Sequence, residues 1–189
     1  MSHDDRALWN ERHRGKSAGD AEPFFAEMLA RMPKRLALDV AAGRGRHSIP
    51  LARAGTRVVA VDIADEAMRA LKAVVDTESL GIFPVIANLD NFCFRTGCFD
   101  AVVNINFLDR ALFPKLIDAL KPGGVLLSDT FLIDQAKTGH PRDPRFLLKH
   151  GELRELMNGL DVDVYREGLV TYRDGSTAWR ASALGVKRS

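Results

Sequence analysis

Two aspartates bracket a glycine turn at the spacing used by nucleoside-binding α/β units. Asp39 closes the apolar run Leu36-Ala37-Leu38, Gly43 and Gly45 follow, and Asp62 closes a second apolar run, Val58-Val59-Ala60-Val61. Glycine permits positive φ and removes the Cβ that would hold a ligand away from the backbone. A carboxylate at the tip of the second strand, about 20 residues beyond the turn, is where such a unit places its acceptor for ribose hydroxyls. The chemistry this implies is the binding of a nucleoside cofactor. The bland alternative is a pair of solvated strand-end acids.

The glycine pattern bears on which nucleoside it is. A dinucleotide fingerprint needs G-x-G-x-x-G, whose last glycine lets the helix pack closely on the strand. Counted from Ala41, this turn reads Ala41-x-Gly43-x-Gly45-Arg46-His47, and the third glycine is missing. A nicotinamide-dependent oxidoreductase is therefore disfavoured.

The elements that must hold these residues alternate. Strands are predicted at 36–40, 57–62, 83–87, 100–105 and 123–129, with helices near 47–54, 65–75, 111–119 and 150–158. Pro23 to Met32 reads as a helix with one apolar face, and Asp65 as the N-cap of the helix that follows Asp62. Lys121-Pro122-Gly123-Gly124 reads as a helix stop leading into a strand. Residues 162–187 read as two strands around the turn signal Arg173-Asp174-Gly175-Ser176. Alternation with an antiparallel pair at the end predicts a mostly parallel seven-stranded sheet covered by helices on both faces. One domain over 1–189 is expected, with a helical cap at 1–35, a cofactor-binding core at 36–132, and a substrate-side loop, helix and hairpin at 133–189.

The pattern from Asp39 through Ala41, Gly43 and Gly45 resembles the first motif of the class I S-adenosylmethionine-dependent methyltransferases. Phe99-Asp100-Ala101-Val102, followed by Leu120-Lys121-Pro122-Gly123-Gly124-Val125-Leu126-Leu127, resembles the fourth and fifth strands of the same Rossmann-like fold. The resemblance covers about Leu36 to Leu132. It implies S-adenosyl-L-methionine as cofactor, with Asp39 near the methionine ammonium, the Gly43–Gly45 turn facing the methionine and sugar, and Asp62 on the ribose diol. It implies adenine contacts from Asn88 and Leu89, where asparagine stands in place of the more usual aspartate. Ala41, Arg44, Ile63, Asn104 and Ile105 complete the expected contact set. Near the start, Leu8-Trp9-Asn10-Glu11-Arg12-His13 resembles the opening of the tellurite-resistance and thiopurine-type methyltransferases, which adds Arg12 to that set. The segment Arg145 to Leu156 resembles the region after the fifth strand in the tellurite-resistance group.

Composition sets the outer bounds. With 46% apolar and 28% charged residues, the chain reads as an ordinary globular protein. A net charge of +2 gives no argument for nucleic-acid binding. No apolar run approaches the roughly 18 residues of a membrane span, and the N-terminus lacks the apolar core of a signal peptide, so a cytoplasmic location is expected. Cys93 and Cys98 are too few for a closed zinc site and read as unpaired thiols in a reducing compartment. The five histidines form no metal-binding spacing, and no metal is expected.

Methyl transfer from a sulfonium asks little of side chains, because alignment alone is worth up to about 7–11 kcal/mol. A soft anionic acceptor, such as a thiolate or an oxyanion, needs no base. A hydroxyl or amine acceptor needs one, for which His13 and His140 are the nearest candidates. The basic set His140, Arg142, Arg145, Lys149 and His150 beyond the fifth strand reads either as an ordinary exposed loop or as the holder of a small anionic acceptor. A binding-only protein that keeps the fold is the remaining alternative. No catalytic residue is assigned.

Overall fold

In the computed structural model the described residues are 3–15 and 17–188; the outermost residues of the expected 1–189 span lie outside them. The helices are α1 (His3–His13), α2 (Pro23–Met28), α3 (Ser48–Arg53), α4 (Asp65–Glu78), α5 (Phe113–Ala119), α6 (Gln135–Thr138) and α7 (Glu152–Leu156). The strands are β1 (Leu36–Val40), β2 (Arg57–Asp62), β3 (Ile82–Ile86), β4 (Phe99–Ile105), β5 (Leu120–Phe131), β6 (Leu160–Thr171) and β7 (Thr177–Lys187). They form one sheet in the order β3-β2-β1-β4-β5-β7-β6. The first five strands run parallel, and β7 lies antiparallel to both β5 and β6.

The buried strands of the parallel core are nearly continuous in apolar residues because both faces are covered. On one face Phe24 and Phe25 of α2, Ile49 and Leu51 of α3, and Met68 and Leu71 of α4 pack over Ala37, Val58 and Val103. On the other, Phe113 and Leu116 of α5 with Leu153 and Met157 pack over Leu38, Val102 and Leu126. Strand order reverses between β1 and β4, the switch point outside whose carboxyl ends α/β sheets place ligands.

Three sequence readings need correction in detail. The apolar segment from Pro23 is α-helical only to Met28 and closes with a 3-10 turn, Leu29–Arg31. The Lys121-Pro122-Gly123-Gly124 segment is already extended: α5 stops at Ala119, and the left-handed Gly123 (φ +76°) sits within β5 near a register shift against β4. Asp65 is the first residue of α4 and caps nothing with its own side chain; Asn10 of α1 accepts instead from the Glu66 amide, at 3.1 Å. No helix among the described residues is long and apolar enough to cross a membrane.

Candidate functional site

The loop from Ala41 to His47 turns because three residues take left-handed backbone: Ala41 (φ 52°), Gly43 (φ 53°) and Gly45 (φ 86°). It opens a cavity of about 310 Å³ at the carboxyl ends of β1, β2 and β4. Ala41, Gly43, Arg44, Arg46 and His47 line it from the turn, Asp62 and Ile63 from the end of β2, Leu89 from beyond β3, and Ile105, Asn106 and Phe107 from the end of β4. Helix α1 and the residues after it close the remaining side with Trp9, Arg12, His13, Ser17 and Ala18.

Two carboxylates organise the floor. Asp62 is buried; its Oδ2 accepts from the Gly43 amide and its Oδ1 from the Ala64 amide, both at 2.8 Å. It thereby ties the glycine turn to the end of β2. Asp39 is 1% exposed, and its Oδ2 accepts from the Ser48 hydroxyl at 2.5 Å. Its Oδ1 is sealed from solvent without a hydrogen-bond partner. Burial pushes the Asp39 carboxyl above its ordinary range, against the pull of His47 and Ser48, and Asp62 adds to the rise. A buried acceptor left unmade costs about 1–3 kcal/mol, so the position calls for a donor.

The roof is cationic. The Arg12 guanidinium lies 4.9 Å from the Trp9 ring centre, and Arg44 donates to the His13 carbonyl at 2.6 Å. A Cβ on Gly43 would approach the His13 ring to 3.1 Å, within the cavity. Behind the turn, Glu22 is 2% exposed and gathers the Arg46 guanidinium at 2.9 Å, His47 Nε2 and the Asn106 amide group. Burial alone would raise the Glu22 carboxyl, but His47, Arg46 and Arg180 overcome it and hold the group down to about 2. Arg180 is itself buried, donating to Asp129 at 2.8 Å and to Asn106 Oδ1 at 2.8 Å.

The residues expected from the sequence to touch a cofactor divide into two sets. Arg12, Ala41, Gly43, Arg44, Asp62, Ile63, Leu89 and Ile105 share the cavity wall. Asp39, Gly45, Asn88 and Asn104 do not line it. Asn88 turns its side chain to the Asp90 amide at 3.0 Å, and Gly45 packs toward Leu71 and Ile49. Asn104 is buried, and its neighbour across β4–β5 is Ser128. Of the two histidines expected as bases, His13 lines the cavity and His140 does not. The basic set beyond β5 lies outside it as well: Arg145 pairs with Asp143, Arg142 donates to the Gly139 carbonyl, and His150 bridges Asp134 and Glu167. Sequence reasoning missed Glu22, Arg46, His47 and Asn106. The one signal for His47 was its place at the mouth of the helix after the glycine turn.

A seven-stranded sheet of this order, with a left-handed glycine turn after β1 and a buried carboxylate ending β2, is the fold of the class I methyltransferases. Residues 37–124 match the family model described as a methyltransferase domain. S-Adenosyl-L-methionine is the cofactor it implies. Among solved structures, TehB from Haemophilus influenzae superimposes with a TM-score of 0.76 at 17% identity, covering 97% of this chain and 67% of that one. Magnesium protoporphyrin IX methyltransferase from Synechocystis PCC 6803, with bound SAH, gives 0.71 at 18% identity, covering 97% and 98%. In sequence, the chain is 42% identical over 67 residues to an uncharacterized protein of Mycobacterium tuberculosis, a match spanning 35% of this chain and 24% of that protein. The chain thus matches about a quarter of the length of the curated relatives.

The site fits this cofactor on its own evidence. The bare face of Gly43 leaves the cavity open where a Cβ would fill it, and behind that wall the buried Asp39 carboxylate keeps one oxygen without a donor.

Proposed function

We propose that this chain transfers the methyl group of S-adenosylmethionine to a small-molecule acceptor. The observation that carries the reading is the cavity at the switch point, with the Gly43 turn on one wall and Asp62 on the next. In this reading Asp62 accepts from the ribose diol with the lone pairs that Gly43 and Ala64 leave free. Asp39 answers the methionine ammonium, Leu89 and Ile63 flank the adenine, Asn88 reads its edge, and Arg12 or Arg44 takes the carboxylate. Ala41, Gly45, Asn104 and Ile105 shape the surface against which it lies. The cofactor supplies a methyl group on a sulfonium that is already a good leaving group. The chain's task is to align it and to exclude water, which is what Trp9 and His13 do from α1.

Calorimetry with S-adenosylhomocysteine and with NADH is the first test. Binding of the former and not the latter is expected, and the reverse would overturn the reading. Asp62→Asn, which keeps one acceptor oxygen, is expected to weaken S-adenosylhomocysteine binding by about tenfold to a hundredfold, since bonds to a charged acceptor contribute about 1.5–3 kcal/mol each.

The acceptor carries an anionic group in this proposal. Arg12, Arg44 and Arg46 line the cavity against the single carboxylate of Asp62, and among the described residues only Arg46 of the three has an ion-pair partner, Glu22. A cationic cofactor adds to that excess, and guanidinium forks suit oxyanions and carboxylates. A screen coupled to S-adenosylhomocysteine release is expected to favour acidic acceptors, with salt raising their apparent KM; a cationic acceptor would refute it. The free thiols Cys93 and Cys98 fit a reducing cytoplasm.

A further inference from the structure

We propose that His47 is the general base of this site and Glu22 its positioning residue, so that the acceptor's nucleophile is a protonated one: a hydroxyl, thiol or amine. The inference rests on the methyl-transfer reading above and adds a proton acceptor to it.

His47 is fixed on three sides. It stands at the N-terminal boundary of α3, its ring lies 4.8 Å from the Phe25 ring, and its Nε2 meets Glu22 Oε2. Glu22 is ionised at any working pH, so this contact makes Nε2 the protonated nitrogen and leaves the lone pair on Nδ1. That is the logic by which a buried carboxylate sets the tautomer of a catalytic imidazole. Nδ1 does not cap α3, and among the described residues it has no partner. Nor does it belong to the sealed, unpartnered side-chain atoms, which are Asp39 Oδ1, Asn104 Oδ1 and Ser128 Oγ. His47 lines the cavity, and in this proposal Nδ1 is the ring nitrogen that faces it.

The surroundings are tuned for this. Glu22 faces Nε2, Asp39 acts on the ring from β1, and Arg46 flanks Glu22 from the turn. Asn106 and, behind it, the Arg180–Asp129 pair hold Glu22 from β4, β5 and β7. Asn106 has left-handed backbone (φ 58°), which turns its side chain back to bridge Glu22 and Arg180. In the step, the acceptor's electron pair forms the bond to the methyl carbon while the carbon–sulfur pair returns to sulfur. The acceptor's proton passes to His47 Nδ1 and then to solvent, and no further co-reactant is needed.

The test begins without any acceptor. Nitrogen-15 histidine spectra of the protein with S-adenosylhomocysteine are expected to show His47 protonated on Nε2 and bare on Nδ1, and Glu22→Gln to mix the tautomers. His47→Asn, checked for folding by circular dichroism, is expected to bind S-adenosylhomocysteine within about threefold of the parent. With any hydroxyl, thiol or amine acceptor that turns over, that variant is expected to lose about 10²–10⁴-fold in kcat and the acidic limb of the pH profile, the range general-base catalysis supplies. A proton on Nδ1 in the parent protein, a tenfold loss of S-adenosylhomocysteine affinity in His47→Asn, or a parental pH profile in that variant would each overturn the proposal. If the parent protein fails to bind S-adenosylhomocysteine at all, the methyl-transfer reading fails instead.

Discussion

At the scale of the residue, the glycine turn separates two physical demands that the sequence presents as one motif. Gly43 has an open face: an added Cβ meets only the His13 ring, at 3.1 Å, inside the cavity. Gly45 has a closed one: an added Cβ falls 2.4 Å from Leu71 Cδ1 and 3.3 Å from Ile49 Cγ1. Both have positive φ, which costs a side chain about 1–2 kcal/mol. Gly45→Ala is therefore expected to destabilise the fold by about 2 kcal/mol or more through overpacking and strain together, lowering Tm by several degrees at about 2–4 °C per kcal/mol. Gly43→Ala is expected to cost about half of that and to weaken S-adenosylhomocysteine binding more than tenfold. Thermal melts and calorimetry on the two variants decide it, and equal effects on both readouts would refute the division. The spacing of Ala41, Gly43 and Gly45 was legible in the chain. Which glycine faces the core was not, because Leu71 comes from a different helix. The left-handed Ala41 has a related consequence: Ala41→Gly relieves its strain but frees the unfolded chain, so its Tm is expected within a few degrees of the parent's.

At the scale of the element, the periodic segments were readable, and the junctions between them were not. The predicted strands 36–40 and 57–62 coincide with β1 and β2, since apolar runs bounded by charge or glycine leave little freedom. Helix α4 continues to Glu78, past the predicted 75, and ends on Ser79 in left-handed backbone without a glycine to announce it. The junction with most bearing on function is that of α1 with α4. Asn10 accepts from the Glu66 amide and donates to Asp65 at 2.6 Å, while Arg6 reaches the same carboxylate. A residue from one helix thus serves as the N-terminal cap of another, which no local pattern reveals. Because Trp9, Arg12 and His13 of α1 line the cavity, this cap also holds its roof. Asn10→Ala is expected to cost about 0.5–2 kcal/mol, the usual worth of an N-cap, and to speed amide exchange in α1 and the first turn of α4. S-Adenosylhomocysteine affinity is expected to fall several-fold; unchanged exchange in α1 would show that the helix docks by other means.

At the scale of the whole molecule, one polar network joins the N-terminal segment to the last strand through the sheet: Arg46 and His47 to Glu22, Glu22 to Asn106, Asn106 to Arg180, Arg180 to Asp129, and Ser182 to the same Asp129 carboxylate. None of it was legible, because each partner comes from a distant part of the chain and buried charge in a strand looks like an ordinary polar position. Its energetics follow from burial. Glu22 has three polar partners and a carboxyl held down to about 2 from an ordinary 4.5. A carboxyl depressed by folding stabilises the native state above its unfolded value and loses that contribution as pH falls through the folded one. Here the loss runs from about pH 4.5 down to about pH 2, and the contribution at neutral pH is on the order of 3 kcal/mol. Glu22→Gln is therefore expected to be less stable than the parent at neutral pH by up to that amount, and the gap is expected to close as the parent's carboxyl protonates. Urea unfolding of both proteins at a series of pH values between 7 and about 3 measures it. A gap that stays constant across that range would mean that Glu22 stabilises by packing and neutral hydrogen bonds, and that its charge contributes nothing to holding His47 and Asn106 at the cavity.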